Sequence, residues 1–231
     1  MRSLVLLLLA ATLLTAQSRR TEDLRPGVFL VAERGLGDPG FARTVILLVQ
    51  FDKSGGLGLV INRQSRIPVS SVIASAPADG NFVFLGGPVM PTGLYGLVRS
   101  PEKLKDALHA FGDVYMVGAK AQFTRGNPGG DLRVYAGYSG WSPGQLENET
   151  GRGNWYIFPA EAAAIFEEEP GSIWKRFTER SERNFALGGA AAPAVPMLLA
   201  RALASEFPLA ARHPSASLPF QFLSAYKPQT R

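Results

Sequence analysis

Residues 44–51 (TVILLVQF) form an almost wholly apolar, β-branched run closed by turn chemistry at Asp52-Lys53-Ser54-Gly55-Gly56. A run this short and this apolar reads as a strand covered on both faces, because an amphipathic strand would alternate. Residues 57–62 (LGLVIN) return beyond the turn, so the two segments predict a hairpin. Further strand signals fall at 28–32, 82–85, 94–98, 114–118, 132–138 and 155–158. Helix signals are fewer. Ser100-Pro101 and Ser142-Pro143 each offer an N-cap serine with proline at the first helical position, predicting helices over 100–111 and from 142. In the second, Gln145 stands where a capping box wants Glu or Gln. Residues 68–76, 160–168 and 172–183 complete the set. Strands outnumber helices and do not alternate with them, which predicts one α+β domain with a mostly antiparallel sheet.

The two ends of the chain differ in texture from this middle. Met1-Arg2, the apolar residues 4–14 broken only by Thr12, and the small pair Thr15-Ala16 follow the order of a secretory signal. The expectation is a signal peptide over 1–16, cut after Ala16, and export to the periplasm or beyond. The apolar run is too short for a stable transmembrane anchor, which needs about 20 residues. Residues 185–231 are rich in alanine and proline and read as a C-terminal extension, leaving 25–184 for the domain. With 231 residues, 46% of them hydrophobic and 19% charged, the chain has material for one substantial core.

Several segments between Gly27 and Arg183 together resemble the YqgE/AlgH family of bacterial proteins. They are residues 37–45 (GDPGFARTV), 58–63 (GLVINR), 85–89 (LGGPV), 137–147 (GYSGWSPGQLE) and 152–155 (RGNW), with a closing helix around Trp174. The resemblance implies one α+β domain whose sheet bends into a pseudo-barrel. It implies little about activity, although some members carry the label of transcriptional regulator. The chain departs from the family pattern in four places. Phe51 and Arg99 stand where many members have histidine, Gln64 where proline usually follows the Asn-Arg pair, and Asn154 where aspartate is usual.

Most candidate chemistry fails on residue type or spacing. The chain has no cysteine, which removes disulfides, thiolate metal sites and cysteine nucleophiles together. Its two histidines, His109 and His213, are far apart, so neither a zinc site nor a Ser-His-Asp triad assembles from them, and no metal or cofactor is expected. His109 is placed near the end of the helix over 100–111, where the dipole favours positive charge. Gly35 to Gly40 spells GxGxxG, but a strand follows it instead of a helix, so it reads as a turn. Ser100 and Ser172 each begin an S-x-x-K pattern without its companion elements and read as N-caps. No catalytic residue is assigned. Glu147 and Glu149, two apart on one helix, diverge.

The polar residues within the resembling segments remain: Asp38, Arg43, Asn62, Arg63, Trp141 and Gln145, together with Trp155. As a binding site they would gather Arg63 and Gln145 around a small anionic ligand against Trp141. As scaffold, Asp38 would form an Asx-turn, Asn62 would close a strand end, the tryptophans would fill core, and Arg63 would pair internally with Asp38 or Glu147. The 24 basic residues against 19 acidic give a net charge of +5 without basic runs, so nucleic acid is not an expected partner. The expected function is an exported, non-catalytic binding module for a small anion or a protein. The alternatives are a hydrolase-like enzyme with an unrecognised site and a DNA-associated regulator.

Overall fold

A computed structural model describes residues 20–77, 80–119 and 131–188. The expected signal peptide, and residues 189–231 of the expected extension, lie outside them. The chain runs η1 (Thr21–Asp23), β1 (Val28–Ala32), β2 (Val45–Asp52), β3 (Gly55–Val60), β4 (Gln64–Pro68), α1 (Val69–Val72), β5 (Phe82–Leu85), β6 (Val89–Arg99), β7 (Leu108–Phe111) and β8 (Val114–Gly118). It continues with β9 (Leu132–Trp141), α2 (Gln145–Gly151), β10 (Trp155–Pro159), α3 (Ala162–Phe166) and α4 (Pro170–Gly188).

The ten strands form one sheet in the order β10-β1-β2-β3-β9-β6-β8-β7, with β5 and β4 branching from β9. All pairs are antiparallel except β5 with β9, where Phe84 faces Tyr135 and Leu85 faces Ala136. The sheet bends until β7 packs on β2, and the Cβ of Phe111 crowds Gly27. No hydrogen-bonded ladder joins β7 to that side, so the barrel stays open.

The strong apolar run behaves as its composition requires. Every residue of β1, and the first five of β2, are buried. One face meets a core with Phe158, Ile173 and Phe177, where the Phe177 ring of α4 lies 5.5 Å from Phe29 and 4.9 Å from Phe158. The other face meets Leu146 of α2 together with Trp141 from β9 and Trp155 from β10.

The glycines of the LGGPV segment have a steric reason. The chain there is squeezed against β9, where its pairing with β6 loses register, with Gly87 at φ 152° and Gly137 at φ 70°. A Cβ on Gly87 would lie 2.3 Å from the Tyr138 carbonyl carbon, and one on Gly137 would lie 2.3 Å from Gly87 O. Only glycine fits both the torsion and the approach.

Three helix expectations change. Residues 100–111 are not a helix. The Ser100 hydroxyl accepts the Glu102 N–H at 3.2 Å and donates to its carbonyl at 2.8 Å, Asp106 takes φ 59°, and the chain then enters β7. The tight Gly112-Asp113 turn, with Gly112 at φ 48°, pairs Phe111 with Val114 and makes a hairpin that places Ala110 in the core. His109 is therefore on a strand, its Nε2 2.9 Å from Gly112 O, and not at a helix end. Ser172 lies within α4, which begins at Pro170, and its hydroxyl donates to Glu169 O at 2.8 Å. Helix α2 starts after Gly144, which takes φ 76° with no side-chain cap, so Ser142 is not its N-cap. Gln145 nonetheless reaches back, its Oε1 accepting the Ser142 N–H at 3.0 Å.

Candidate functional site

The six candidate residues fall into two groups joined by aromatic rings. In the first, Asp38 Oδ1 accepts the Gly40 N–H at 2.7 Å, and the Asp38 carbonyl accepts the N–H of Phe41 and of Ala42. This is the Asx-turn its sequence context suggests. Arg63 lies across the same loop and donates to the carbonyls of Gly40, Pro39 and Ala42 at 2.5, 3.4 and 3.1 Å. It pairs internally, but with backbone oxygens and not with a carboxylate. Asn62 closes the strand end, accepting the Val45 N–H at 2.8 Å and donating to Arg43 O at 3.0 Å. Arg43, at φ 58°, is exposed, with its guanidinium 5.9 Å from the centre of the Trp174 ring. The Trp174 indole in turn donates to Ala32 O at 2.8 Å.

The second group centres on a residue that spacing alone did not single out. Glu149, on α2, accepts Trp141 Nε1–H at 3.0 Å and Trp155 Nε1–H at 2.9 Å on one oxygen, and Gln145 Nε2–H at 2.9 Å on the other. Trp141 and Trp155 are 2% and 1% exposed. The two rings meet edge to face at 6.4 Å, and Phe41 packs on Trp155 at 6.1 Å, which links this group to the Arg63 loop. No hydrogen bond or ion pair joins Arg63 to Gln145. Glu149 could have been suspected from its place between two tryptophans that each need an acceptor if buried.

Three arginines of the described residues are held by acids. Arg99 reaches Asp113, Asp131 and Glu167 at 3.9, 3.1 and 3.1 Å. Arg176 bridges Glu161 and Glu168, and Arg180 pairs with Glu161. Among the described residues no cluster of three His, Asp or Glu side chains has the spacing to hold a metal ion, and no helix is long and apolar enough to cross a membrane.

A different region carries unspent surface. Among the described residues, the large apolar side chains that stand exposed are Ile67 at 46%, Val72 at 36%, Phe82 at 37%, Leu85 at 48% and Met90 at 44%, on β4, α1, β5 and the start of β6. Beside them lies a cleft of about 80 Å³, lined by Gln64, Val69, Phe82, Phe84, Arg133 and Val134 among others. The Arg133 guanidinium sits 4.8 Å from the Phe84 ring centre, and its buried Nη1 has no hydrogen-bond partner. Sequence reading missed this cleft because its walls come from β4, α1, β5 and β9, far apart along the chain.

A profile of the AlgH-like family matches residues 29–186. A UPF0301 protein of Streptomyces avermitilis is 33% identical over 171 residues, covering 70% of this chain and 89% of that protein. A UPF0301 protein of Myxococcus xanthus is 34% identical over 162 residues, covering 66% and 88%. The solution structure of the AlgH protein from Pseudomonas aeruginosa superposes with a TM-score of 0.59 at 28% identity, over 73% of this chain and 95% of that one. The crystal structure of protein DIP2367 from Corynebacterium diphtheriae superposes with a TM-score of 0.60 over 68% and 87% of the two chains, and at 24% identity it speaks for the fold alone.

Proposed function

This chain belongs to the AlgH-like family, and we propose that it works as a non-catalytic binding module, exported after removal of its N-terminal segment. One observation carries the binding reading: among the described residues, the exposed large apolar side chains all fall within residues 67–90. Isolated exposed apolar residues need no explanation, but five drawn from one stretch of chain, on the paired strands β4 and β5 and the elements next to them, mark a candidate partner surface. The cleft, at about 80 Å³, falls well below the roughly 300–1,000 Å³ of pockets that enclose a whole small substrate. That size favours an interaction surface over a hydrolase-like site.

The polar residues of the shared motifs fit a scaffold better than a ligand site in this reading. Arg63 and Asn62 have their hydrogen-bonding capacity turned onto the loop of residues 38–43, and Trp141 is buried with its N–H on Glu149. A small anion at Arg63 and Gln145 would have to displace the Pro39, Gly40 and Ala42 carbonyls from the one and Glu149 from the other.

The binding reading is tested by quantitative affinity capture from a cell-envelope extract, with wild type against the triple variant Ile67→Ser, Phe82→Ser, Leu85→Ser. Loss of captured proteins with an unchanged melting curve supports the module. Identical capture by the folded variant would overturn it. Export is tested separately by N-terminal sequencing of the fractionated protein, where an intact Met1 in the exported fraction would sink the leader.

A further inference from the structure

Arg43 is the one polar side chain of segments 37–45 (GDPGFARTV) and 58–63 (GLVINR) that makes no hydrogen bond among the described residues, whereas Asp38, Thr44, Asn62 and Arg63 all do. Its backbone is left-handed at φ 58°, a conformation that L residues seldom adopt and glycine adopts freely. Its neighbours hold it there. Arg63 donates to Ala42 O at 3.1 Å, and Asn62 donates to Arg43 O at 3.0 Å and accepts the Val45 N–H at 2.8 Å. The Thr44 hydroxyl donates to Phe41 O at 2.7 Å. A torsion of this kind persists only where its surroundings over-determine it. Glycine at this position would relieve the strain without losing a side-chain hydrogen bond, so what arginine adds is its guanidinium.

That guanidinium is exposed and stands 5.9 Å from the centre of the Trp174 ring, with no carboxylate at ion-pair distance among the described residues. A cation over a ring face spends no N–H on it, so its donors remain for a ligand. Arg34 approaches the same ring at 5.4 Å. Its Nε–H goes to Glu182, and its two amino groups have no hydrogen-bond partner among the described residues. The acids nearest in the chain, Glu33 and Asp38, each accept a backbone N–H, from Gly35 and Gly40. The charge of Arg63 close by is met only by backbone carbonyls.

We propose that Arg43, backed by Trp174 and flanked by Arg34, binds an oxyanion, the carboxylate or phosphate of a ligand, on the outer side of the loop of residues 38–43. A guanidinium fork takes either group in bidentate geometry. The surrounding polar residues then have a shared purpose: Asp38, Thr44, Asn62 and Arg63 fix the loop, and the loop presents Arg43. This site differs from the grouping of Arg63 and Gln145 around Trp141, whose donors are spent on carbonyls and on Glu149. It does not rest on the apolar residues 67–90, so either reading can fail without the other.

The test titrates the full-length, nitrogen-15-labelled chain with inorganic phosphate and, separately, with succinate, at constant ionic strength set by sodium chloride. The Arg43 Nε–H and Trp174 Nε1–H resonances should shift and saturate with at least one of the two anions, and the one that acts identifies the oxyanion. Arg43→Lys, which keeps the charge and loses the fork, should weaken that binding at least about fivefold. Arg43→Gly should abolish the saturable Trp174 shift while melting at the wild-type temperature or above it, because glycine suits the left-handed torsion. No saturable shift with either anion would overturn the proposal, as would an unchanged Trp174 titration in Arg43→Gly. An Arg43→Gly protein that melts well below wild type, or does not fold, would show that the arginine is kept for its packing on Trp174 and would overturn the proposal too.

Discussion

Trp141 and Trp155 donate their indole N–H groups to the same carboxylate oxygen of Glu149, at 3.0 and 2.9 Å, although their strands, β9 and β10, stand four places apart in the sheet order. The helix that carries Glu149 connects these strands in sequence, so one side chain fixes the path of the α2 crossover above the β1–β3 face. Both rings are buried, and each N–H would be orphaned without this acceptor.

Glu149→Ala should therefore destabilise the protein by about 3 kcal/mol, since two buried donors lose their partner at once. Glu149→Gln keeps an acceptor oxygen and should cost about 1 kcal/mol. Urea unfolding followed by tryptophan fluorescence measures both. Equal costs for the two substitutions would mean that the carboxylate serves only the exposed Gln145 contact.

Arg63→Ala should cost about 2 kcal/mol, the range for hydrogen bonds made by a charged donor to a partly buried acceptor. Arg63→Lys should recover less than half of it, because an ammonium cannot span the Pro39, Gly40 and Ala42 carbonyls as the planar fork does. Full rescue by lysine in thermal unfolding would show that charge alone matters at this position.

Ser142→Ala should change stability by less than about 0.5 kcal/mol, not the roughly 1 kcal/mol of a lost N-cap, because Gly144 and not Ser142 occupies the cap position of α2. Gln145→Ala should cost more than Ser142→Ala, since it removes both the Ser142 N–H acceptor and the contact to Glu149. The reverse order in chemical denaturation would restore the serine cap.

Local patterns foretold what local physics controls. The apolar run in β2 and the turn at its end produced the expected hairpin, and the strands at 82–85 and 114–118 have the bounds their β-branched and aromatic residues predict. The helix over 100–111 failed because Ser-Pro resembles a helix start equally well when the serine closes an ST-turn, and the Gly112-Asp113 hairpin signal then decides the outcome. Strand β4 was missed because Gln64 to Pro68 has no alternation to see and gains its strand geometry only from β5. The Asx-turn at Asp38 and the strand closure by Asn62 were legible, since each needs only its neighbours in the chain or hairpin. The Glu149 acceptor and the Arg133 cleft were not, because both depend on tertiary meetings of separate strands.

Tyr135 offers the last prediction. Its ring is fully buried against Phe84, and its hydroxyl has no hydrogen-bond partner. Burial pushes the phenol pKa up strongly, while the nearby Arg133 pulls it down only in part. The folded state therefore holds the proton to higher pH than the unfolded chain, whose tyrosines titrate near about 10. Stability from this group is fully present below that value and is lost as pH rises above it, because the unfolded state releases its proton first. Tyr95 and Tyr138, also raised by burial, add to the same slope. Tyr135→Phe removes an unsatisfied hydroxyl and one titrating group together. At pH 8 the variant should be as stable as wild type or more stable by about 1 kcal/mol. Above pH 10 its advantage should widen as wild type loses stability, read from urea midpoints at the two pH values. A variant less stable at pH 8 would mean that the hydroxyl is satisfied by an internal water.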